Sequence, residues 1–181
     1  MPDTPDPDQV FAGVPDAFER LWTPHRMAYI KGENKPSGPD EGCPFDRAPK
    51  LTDEDGLIVA RGQLGYAVLN LYPYNSGHLM SVPYRHVADY TDLTPDEVSE
   101  VANITRIAMR VLRVVAGPHG FNIGLNQGTV AGAGIAGHLH QHVVPRWGGD
   151  TNFVPVVAHT RVLPQLLSET RRLLADGWAS A

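Results

Sequence analysis

The sequence predicts a mixed fold of β-strands with two or three helices. Three observations predict it: a hairpin pattern over residues 64–83, a long amphipathic helix pattern over 94–116, and a strand with histidine at every second position over 138–146. Alternation of side chains between two faces indicates a strand, whereas an apolar stripe at helical spacing indicates a helix. The 181 residues suffice for one domain with a sizeable core.

The first residues differ in composition from the rest of the chain. Residues 1–16 contain four prolines and several aspartates, which predicts a disordered or loosely packed arm. Residues 17–181 are predicted to form a single domain. Within it, residues 32–50 are rich in glycine and proline and are predicted to form a loop, which carries Cys43 and Asp46.

The first strands follow this loop. Residues 57–60 and 64–71 are predicted strands, and residues 72–77 are rich in turn formers. Residues 78–83 then return as a strand, so that 64–83 form a hairpin.

The second half of the chain begins with a helix. Thr94 is the predicted N-cap, Pro95 the first helical residue and Glu97 the partner in a capping box, while Gly117 and Pro118 end the helix. Residues 121–125 are the next predicted strand. A final helix is predicted to start at residues 163–164, with leucines on its inner face.

Between these elements lies the stretch 138–146, with histidine at positions 138, 140 and 142. In an extended chain their side chains share one face, about 7 Å apart per step. Pro145 is predicted to end the strand, because proline cannot donate to a sheet ladder. Imidazoles can serve as nucleophile, proton carrier or metal ligand near neutral pH. A purely structural role is disfavoured, since burying three polar rings costs free energy unless each is hydrogen-bonded.

A glycine- and alanine-rich loop, residues 126–137, leads directly into the histidines. Small residues let backbone amides approach an anion closely. The position of the loop therefore favours phosphate binding, although a flexible connection would have the same composition.

The His-x-His-x-His run, followed by two apolar residues and Pro-Arg, resembles the signature of the histidine triad (HIT) superfamily of nucleotide hydrolases and transferases. Residues 68–70, 77–78, 82–83 and 85–86 also resemble the HIT core. Segments near Trp22 and at 146–153 resemble the bacterial diadenosine-polyphosphate phosphorylase and hydrolase branch. Gln141 departs from the apolar residue usual at its position. The resemblance implies an α+β fold, with a five-stranded antiparallel sheet and helices packed against it.

The resemblance also implies roles for individual residues. His140 would be the nucleophile, His142 would orient the site and bind the transferring phosphate or leaving oxygen, and His138 would hold the His140 ring. His78 would help to bind phosphate. The implied substrate-binding residues are Asn70 at the ribose and Asn126 at the α-phosphate. Gly128, Thr129 and Gly134 are further candidates because they lie in the small-residue loop, and Trp147 either covers substrate or closes the core.

The implied activity is cleavage of diadenosine tetraphosphate by inorganic phosphate to ADP and ATP, through a nucleotidyl-histidine intermediate and without a cofactor. Alternatives are a dinucleoside polyphosphate hydrolase that uses water, a nucleoside phosphoramidase, a zinc-binding protein in which the three histidines hold the metal, and a nucleotide-binding scaffold without catalysis. Family members commonly form homodimers, so a homodimer or higher homo-oligomer is expected.

Many HIT proteins bind a structural zinc through two cysteines and two histidines. Here Cys43 is the single cysteine, Asp46 stands where the second would be, and His86 stands at a histidine position. Whether these three residues bind a metal is left open, because one thiolate with a carboxylate is a weak zinc set.

Composition limits the partners and the compartment. The net charge of −5 and pI near 5.9 argue against nucleic acid as a partner. No apolar run reaches the length of a membrane span, so no membrane association is expected. With one cysteine an intrachain disulfide is excluded, and a cytoplasmic location is predicted.

Overall fold

The computed structural model describes residues 42–150 and 165–180. Within these residues a five-stranded antiparallel sheet has the order β1-β2-β3-β5-β4, and helices pack against it. The predicted α+β fold is therefore confirmed. Predictions for the arm 1–16, for the segment near Trp22 and for residues 151–164 lie outside the described residues.

The secondary structure follows the chain in a simple order. It comprises α1 (Pro44–Arg47), a 3-10 turn (Ala48–Lys50), β1 (Ile58–Arg61), β2 (Gly65–Leu69), β3 (Leu79–Pro83), a second 3-10 turn (Tyr90–Asp92), α2 (Pro95–Ala116), β4 (Gly120–Leu125), β5 (Gln141–Arg146) and α3 (Leu167–Trp178). The predicted hairpin is β2 and β3, paired from Gly65↔Pro83 to Leu69↔Leu79.

The histidine stretch departs from the predicted strand. β5 begins only at Gln141, so His142 lies in the sheet whereas His138 and His140 precede it. Pro145 lies inside β5 rather than at its end. It is tolerated there because β3 pairs with β5 only as far as Val143, so no strand on that side needs an N–H from Pro145.

The helix α2 forms as its caps predict. The Thr94 hydroxyl accepts the Glu97 N–H, and the Glu97 carboxylate accepts the Thr94 N–H, which completes the capping box. Gly117 ends the helix in the left-handed region, with φ of 56°. Among residues 42–150 and 165–180, no helix combines the length and hydropathy that a membrane span requires.

The two faces of the sheet bury different clusters. One face packs against α2 and α3 through Leu69, Leu79, Val111, Leu112 and Val143. The opposite face holds a second cluster in which Phe45 of α1 covers the sheet, and which includes Tyr66, Val68 and Met80. The first face is closed by helices, so the second face is where β5 can present a functional side chain.

Candidate active site

The position of His142 in the sheet places its ring on the face opposite the long helices. His142 pairs with Met80 on one side and with Gly124 on the other. Directly opposed residues point to the same face, and Met80 belongs to the cluster covered by Phe45. Gly124, in the edge strand β4, has no side chain, and no atom of residues 42–150 or 165–180 other than its chain neighbours lies within 4 Å of where its Cβ would be. On the side of β4 the His142 ring thus faces a glycine rather than a side chain.

Gln141 points the other way. Its side-chain amide donates to the Thr105 hydroxyl of α2 at 2.9 Å. This hydrogen bond explains why a polar residue occupies a position that is usually apolar.

The buried ring of His78 lies directly beside His142. His78 is completely buried, and its Nε2 lies 3.0 Å from Nδ1 of His142. Its own Nδ1 faces the backbone N–H of Tyr74 at 3.0 Å and the side-chain amide of Asn70 at 3.4 Å. The orientation of the Asn70 amide is set because its oxygen accepts the N–H of Tyr72.

These contacts fix which ring nitrogens carry hydrogen. A backbone N–H only donates, so Nδ1 of His78 accepts and its hydrogen is on Nε2. Nε2 of His78 then donates to Nδ1 of His142, which leaves the hydrogen of His142 on its own Nε2. The N–H of His142 is therefore on Nε2, the ring nitrogen that does not face His78.

His140 has the opposite arrangement. Its Nδ1 lies 2.8 Å from the backbone carbonyl of His138, and a carbonyl only accepts, so the hydrogen is on Nδ1 and the lone pair on Nε2. Burial lowers the pKa of His140 below its usual value of 6.5, which keeps the ring neutral at neutral pH. A neutral imidazole with a free Nε2 is a nucleophile. The prediction that His138 holds this ring thus has a physical basis in its backbone carbonyl.

Phe45 packs against both histidines that precede β5. Its ring centroid lies 4.9 Å from that of His140 and 5.5 Å from that of His138. The carbonyl of Phe45 accepts the hydroxyl of Tyr66 at 2.7 Å. The helix α1 is thereby tied to β2, and the apolar ring shields His140 from solvent on one side.

A second polar cluster involves the other side of His138. Ligand atoms of Cys43, Asp46, His86 and His138 all lie within 4.8 Å of one another. Nε2 of His138 donates to the Pro83 carbonyl at 2.9 Å, so its Nδ1 lone pair faces the thiol of Cys43 at 3.4 Å and the carboxylate of Asp46 at 3.3 Å. Burial lowers the pKa of His138, which disfavours a proton on that nitrogen.

This cluster fits a structural zinc ion. Thiolate, carboxylate and two imidazoles are all zinc ligands, and four of them would close the site. The bond from His138 to the Pro83 carbonyl is the outer contact that orients a ligating histidine. By contrast, Nε2 of His138 bonds the Pro83 carbonyl and its Nδ1 faces Cys43 and Asp46, so the geometry disfavours one zinc ion held by all three histidines of the triad.

The model of the HIT domain family matches residues 52–149, more than half of the chain. The chain belongs to the HIT domain family. The predicted family resemblance is thus confirmed, and the pairing of His78 with the triad lies within the matched HIT region.

Two curated relatives of this chain carry the names of enzymes. The chain is 54% identical over 173 residues to the AP-4-A phosphorylase of Mycobacterium tuberculosis (strain H37Rv). The aligned region covers 92% of this chain and 88% of that protein. It is 34% identical over 93 residues to the asymmetrical bis(5'-nucleosyl)-tetraphosphatase of Schizosaccharomyces pombe, covering 51% of this chain and 50% of that protein.

Solved HIT structures agree in fold. A Zn-bound histidine triad family protein from Mycobacterium smegmatis has a TM-score of 0.58 and 29% identity, covering 68% of this chain and 84% of that chain. A hypothetical histidine triad nucleotide-binding protein from Sulfolobus tokodaii has a TM-score of 0.62 and 23% identity, covering 76% and 93% of the two chains.

The predicted phosphate loop joins β4 to the HIT histidines. Asn126 directly follows β4 and is half-buried, whereas Gly128 and Thr129 are exposed. Gly128 has φ of 81° and its carbonyl accepts the N–H of Ala133, which closes a turn. The half-buried Gly134 follows this turn. Substrate contacts by Asn126, Gly128, Thr129 and Gly134 stay predictions.

Trp147 directly follows β5 and contacts the end of α2. Its indole N–H donates to the carbonyl of Ala116, the last residue of α2, at 3.2 Å. This contact supports the closing role of Trp147 over the covering role; contact with substrate stays a prediction.

Sequence reasoning assigned no role to several residues that shape the site. Tyr74, whose ring centroid lies 4.8 Å from that of His78, supplies the N–H that sets the hydrogen of that ring. Asn75 and Asp150 are hydrogen-bonded to each other although 75 positions separate them. The sequence signal that could have pointed to them is their residue type, since Asn and Asp side chains beside a turn commonly hydrogen-bond the backbone.

Proposed function

We propose that this chain is a diadenosine tetraphosphate phosphorylase, which transfers an adenylyl group to inorganic phosphate through His140. The observation that carries the proposal is the opposite hydrogen placement on neighbouring rings: a lone pair on Nε2 of His140 and an N–H on Nε2 of His142. Their ring centroids lie 5.0 Å apart. One nucleophile and one donor can therefore act on the same phosphoryl group. The name of the mycobacterial relative supports this substrate.

In the first step Nε2 of His140 attacks the α-phosphorus. A P–N bond forms, the bond from that phosphorus to the bridging oxygen breaks, and ATP leaves. The Nε2–H of His142 donates to the departing oxygen, which stabilises the charge that develops there. The carbonyl of His138 stabilises the positive charge on the adenylylated ring through Nδ1–H.

In the second step an oxygen of inorganic phosphate attacks the same phosphorus. The P–N bond breaks, ADP is formed, and Nε2 of His140 recovers its lone pair. The attacking oxygen is one that carries no proton, and the Nε2–H of His142 again donates a hydrogen bond to the phosphoryl group. No proton is transferred to or from His142, so the site returns to its starting state. The chain's own residues supply the nucleophile and the donors for both steps.

The acceptor is tested by product analysis of diadenosine tetraphosphate with and without added phosphate. Phosphate-dependent ADP plus ATP is expected for the wild type, and no turnover for His140→Ala. An acid-labile adenylyl adduct should form on the wild type alone. Turnover by His140→Ala, or products that need no phosphate, would contradict the proposal.

The hydrolase alternative is favoured by the name of the yeast relative. Water in place of phosphate in the second step would give AMP plus ATP, and the same product analysis separates the two acceptors.

Three finer statements belong to the same proposal. We infer that inorganic phosphate is the second substrate, that the protein acts in the cytoplasm, and that it forms a homodimer or higher homo-oligomer. The edge position of β4 supports the last statement, because an edge strand with exposed Ile123 can pair with a second copy. Light scattering of the purified protein tests it.

A zinc ion at Cys43, Asp46, His86 and His138 would have a structural role. It would hold α1 beside the histidine stretch, and with it the ring of Phe45 against His140. All four ligands would be protein side chains, as in closed structural sites.

A further inference from the structure

The turn between β2 and β3 is hydrogen-bonded to the C-terminal end of β5. This turn, residues 70–78, carries the three groups that determine the hydrogen on His142: the amide of Asn70, the N–H of Tyr74 and the ring of His78. Asn75 of this turn makes two bonds there: its side chain donates to the carbonyl of Pro145 at 3.2 Å and to the carboxylate of Asp150 at 2.8 Å.

The carboxylate of Asp150 is the centre of this attachment. Its side chain is only 9% exposed. Besides Asn75, it accepts Nε and Nη2 of Arg146 at 2.7 and 2.9 Å and the N–H of Trp147 at 3.0 Å. A buried carboxylate with a two-pronged arginine bond is a rigid acceptor, since charge-assisted bonds of this geometry are strong and directional.

Asn75 holds the turn in place relative to Asp150 through the nitrogen and the oxygen of its side-chain amide and through its backbone carbonyl. Its side-chain oxygen accepts the N–H of Ser76 at 3.1 Å, which directs the amide nitrogen toward β5. Its carbonyl accepts the N–H of His78 at 3.1 Å. The residue before it, Tyr74, donates to the His78 ring. A shift of Asn75 would therefore move the donor that fixes the hydrogen on that ring.

We propose that Asp150 is a positioning residue of the reaction, acting through Asn75 on the turn that holds His78. Without this attachment the N–H of Tyr74 no longer holds Nδ1 of His78, and the longer contact of the Asn70 amide, at 3.4 Å, is a weaker constraint on that nitrogen. The His78 and His142 rings could then exchange hydrogens together, leaving a lone pair on Nε2 of His142. In that state His142 cannot donate to the leaving oxygen. The effect on catalysis rests on the proposed function, whereas the effect on the rings does not.

The matched variants follow from the contacts. Asn75→Ser keeps an oxygen that can accept the N–H of Ser76 but lacks the amide donor, and Asp150→Asn removes the charge without changing the shape. Asn122→Ala is the control. It removes another bond of Arg146, from Nη1 to the Asn122 oxygen at 2.8 Å, and leaves the turn untouched.

The deciding measurement is the ¹⁵N spectrum of the histidine rings at neutral pH, which separates hydrogen on Nδ1 from hydrogen on Nε2. Wild type and Asn122→Ala should show Nε2–H for both His78 and His142. Asn75→Ser and Asp150→Asn should show a mixture of both forms on both rings. Unchanged ring spectra in both of these folded variants would overturn the proposal, as would equal changes in Asn122→Ala.

Kinetics with diadenosine tetraphosphate and phosphate give the second measurement. In Asn75→Ser and Asp150→Asn, kcat should fall about 10- to 100-fold, at or below the lower end of the range for losing an acid–base group outright, because the mixture of ring forms retains part of the Nε2–H donor. KM should change little, and Asn122→Ala should keep kcat. A wild type without turnover would contradict the proposed function, and the ring spectra would still decide the role of Asp150.

Discussion

The carboxylate of Glu97 joins the start of α2 to the end of the hairpin, and its removal has a calculable effect. Glu97 accepts Nε and Nη2 of Arg85 at 2.9 and 2.7 Å and the N–H of Thr94 at 2.8 Å. These bonds lower its pKa from 4.5 to about 2, with the arginine bond as the largest cause. Glu97→Gln keeps the shape of the side chain and loses its charge.

The expected loss of stability follows from the strength of these bonds. A hydrogen bond to a charged group contributes about 1.5–3 kcal/mol and a neutral one about 0.5–1.5 kcal/mol. Because the Arg85 side chain is 47% exposed, solvent screens part of the attraction. We therefore expect Glu97→Gln to lower the free energy of unfolding by about 1–2 kcal/mol at neutral pH.

Urea unfolding from neutral to acidic pH provides the assay, with Asp96→Asn as the control. Asp96 lies in the same first turn and is exposed, so this variant matches the change in charge near the helix dipole. The folded-state pKa of Glu97 lies below its usual 4.5. The stabilisation is therefore complete above about pH 4.5 and disappears as the pH falls through about 2. A loss no larger than that of Asp96→Asn, or one that persists on acidification, would refute this reasoning.

Three further predictions concern the site. Protein purified without added metal should contain about one zinc ion per chain by elemental analysis. Asp46→Ala should lose the zinc and His140→Ala should keep it. Loss of zinc in His140→Ala would contradict the assignment of the metal to the cluster of Cys43, Asp46, His86 and His138. Because burial lowers the pKa of His140, the acidic limb of the pH profile of adenylyl transfer should lie below 6.5, and a limb above that value would be evidence against His140 as nucleophile. Gln141→Leu should lower stability by about 1 kcal/mol because the buried Thr105 hydroxyl loses its partner; adding Thr105→Val should restore most of it in thermal unfolding, and an absence of rescue would show that this bond contributes little.

The helix and the hairpin were predictable from local signals. The capping box of Thr94 and Glu97 and the Gly117 stop define α2 within the sequence itself. Side chains that alternate between two faces predict β2 and β3, and in the structure both faces of these strands are buried. The order of strands followed only from the family resemblance, since β3 pairs with β5 across about 60 intervening residues and no local rule specifies that pairing.

The sequence named candidate residues for the site but could not give their geometry. Alternation placed His138, His140 and His142 on one strand, whereas the ladder begins after His140 and that ring bonds the preceding carbonyl. Periodicity cannot report where hydrogen bonding between strands starts. Nor could the sequence show that the side chains of Asn75 and Asp150 meet, because their contact depends on the folded sheet.

His138 serves two neighbours with two different parts of the residue. Its ring faces Cys43 and Asp46, and its backbone carbonyl holds His140. Every amino acid has a carbonyl, so the support for His140 does not require histidine at position 138. During evolution the ring and the metal ligands can therefore diverge together while the nucleophile keeps its orientation. The degree of conservation at 138 among homologues should accordingly follow that of Cys43 and Asp46 more closely than that of His140.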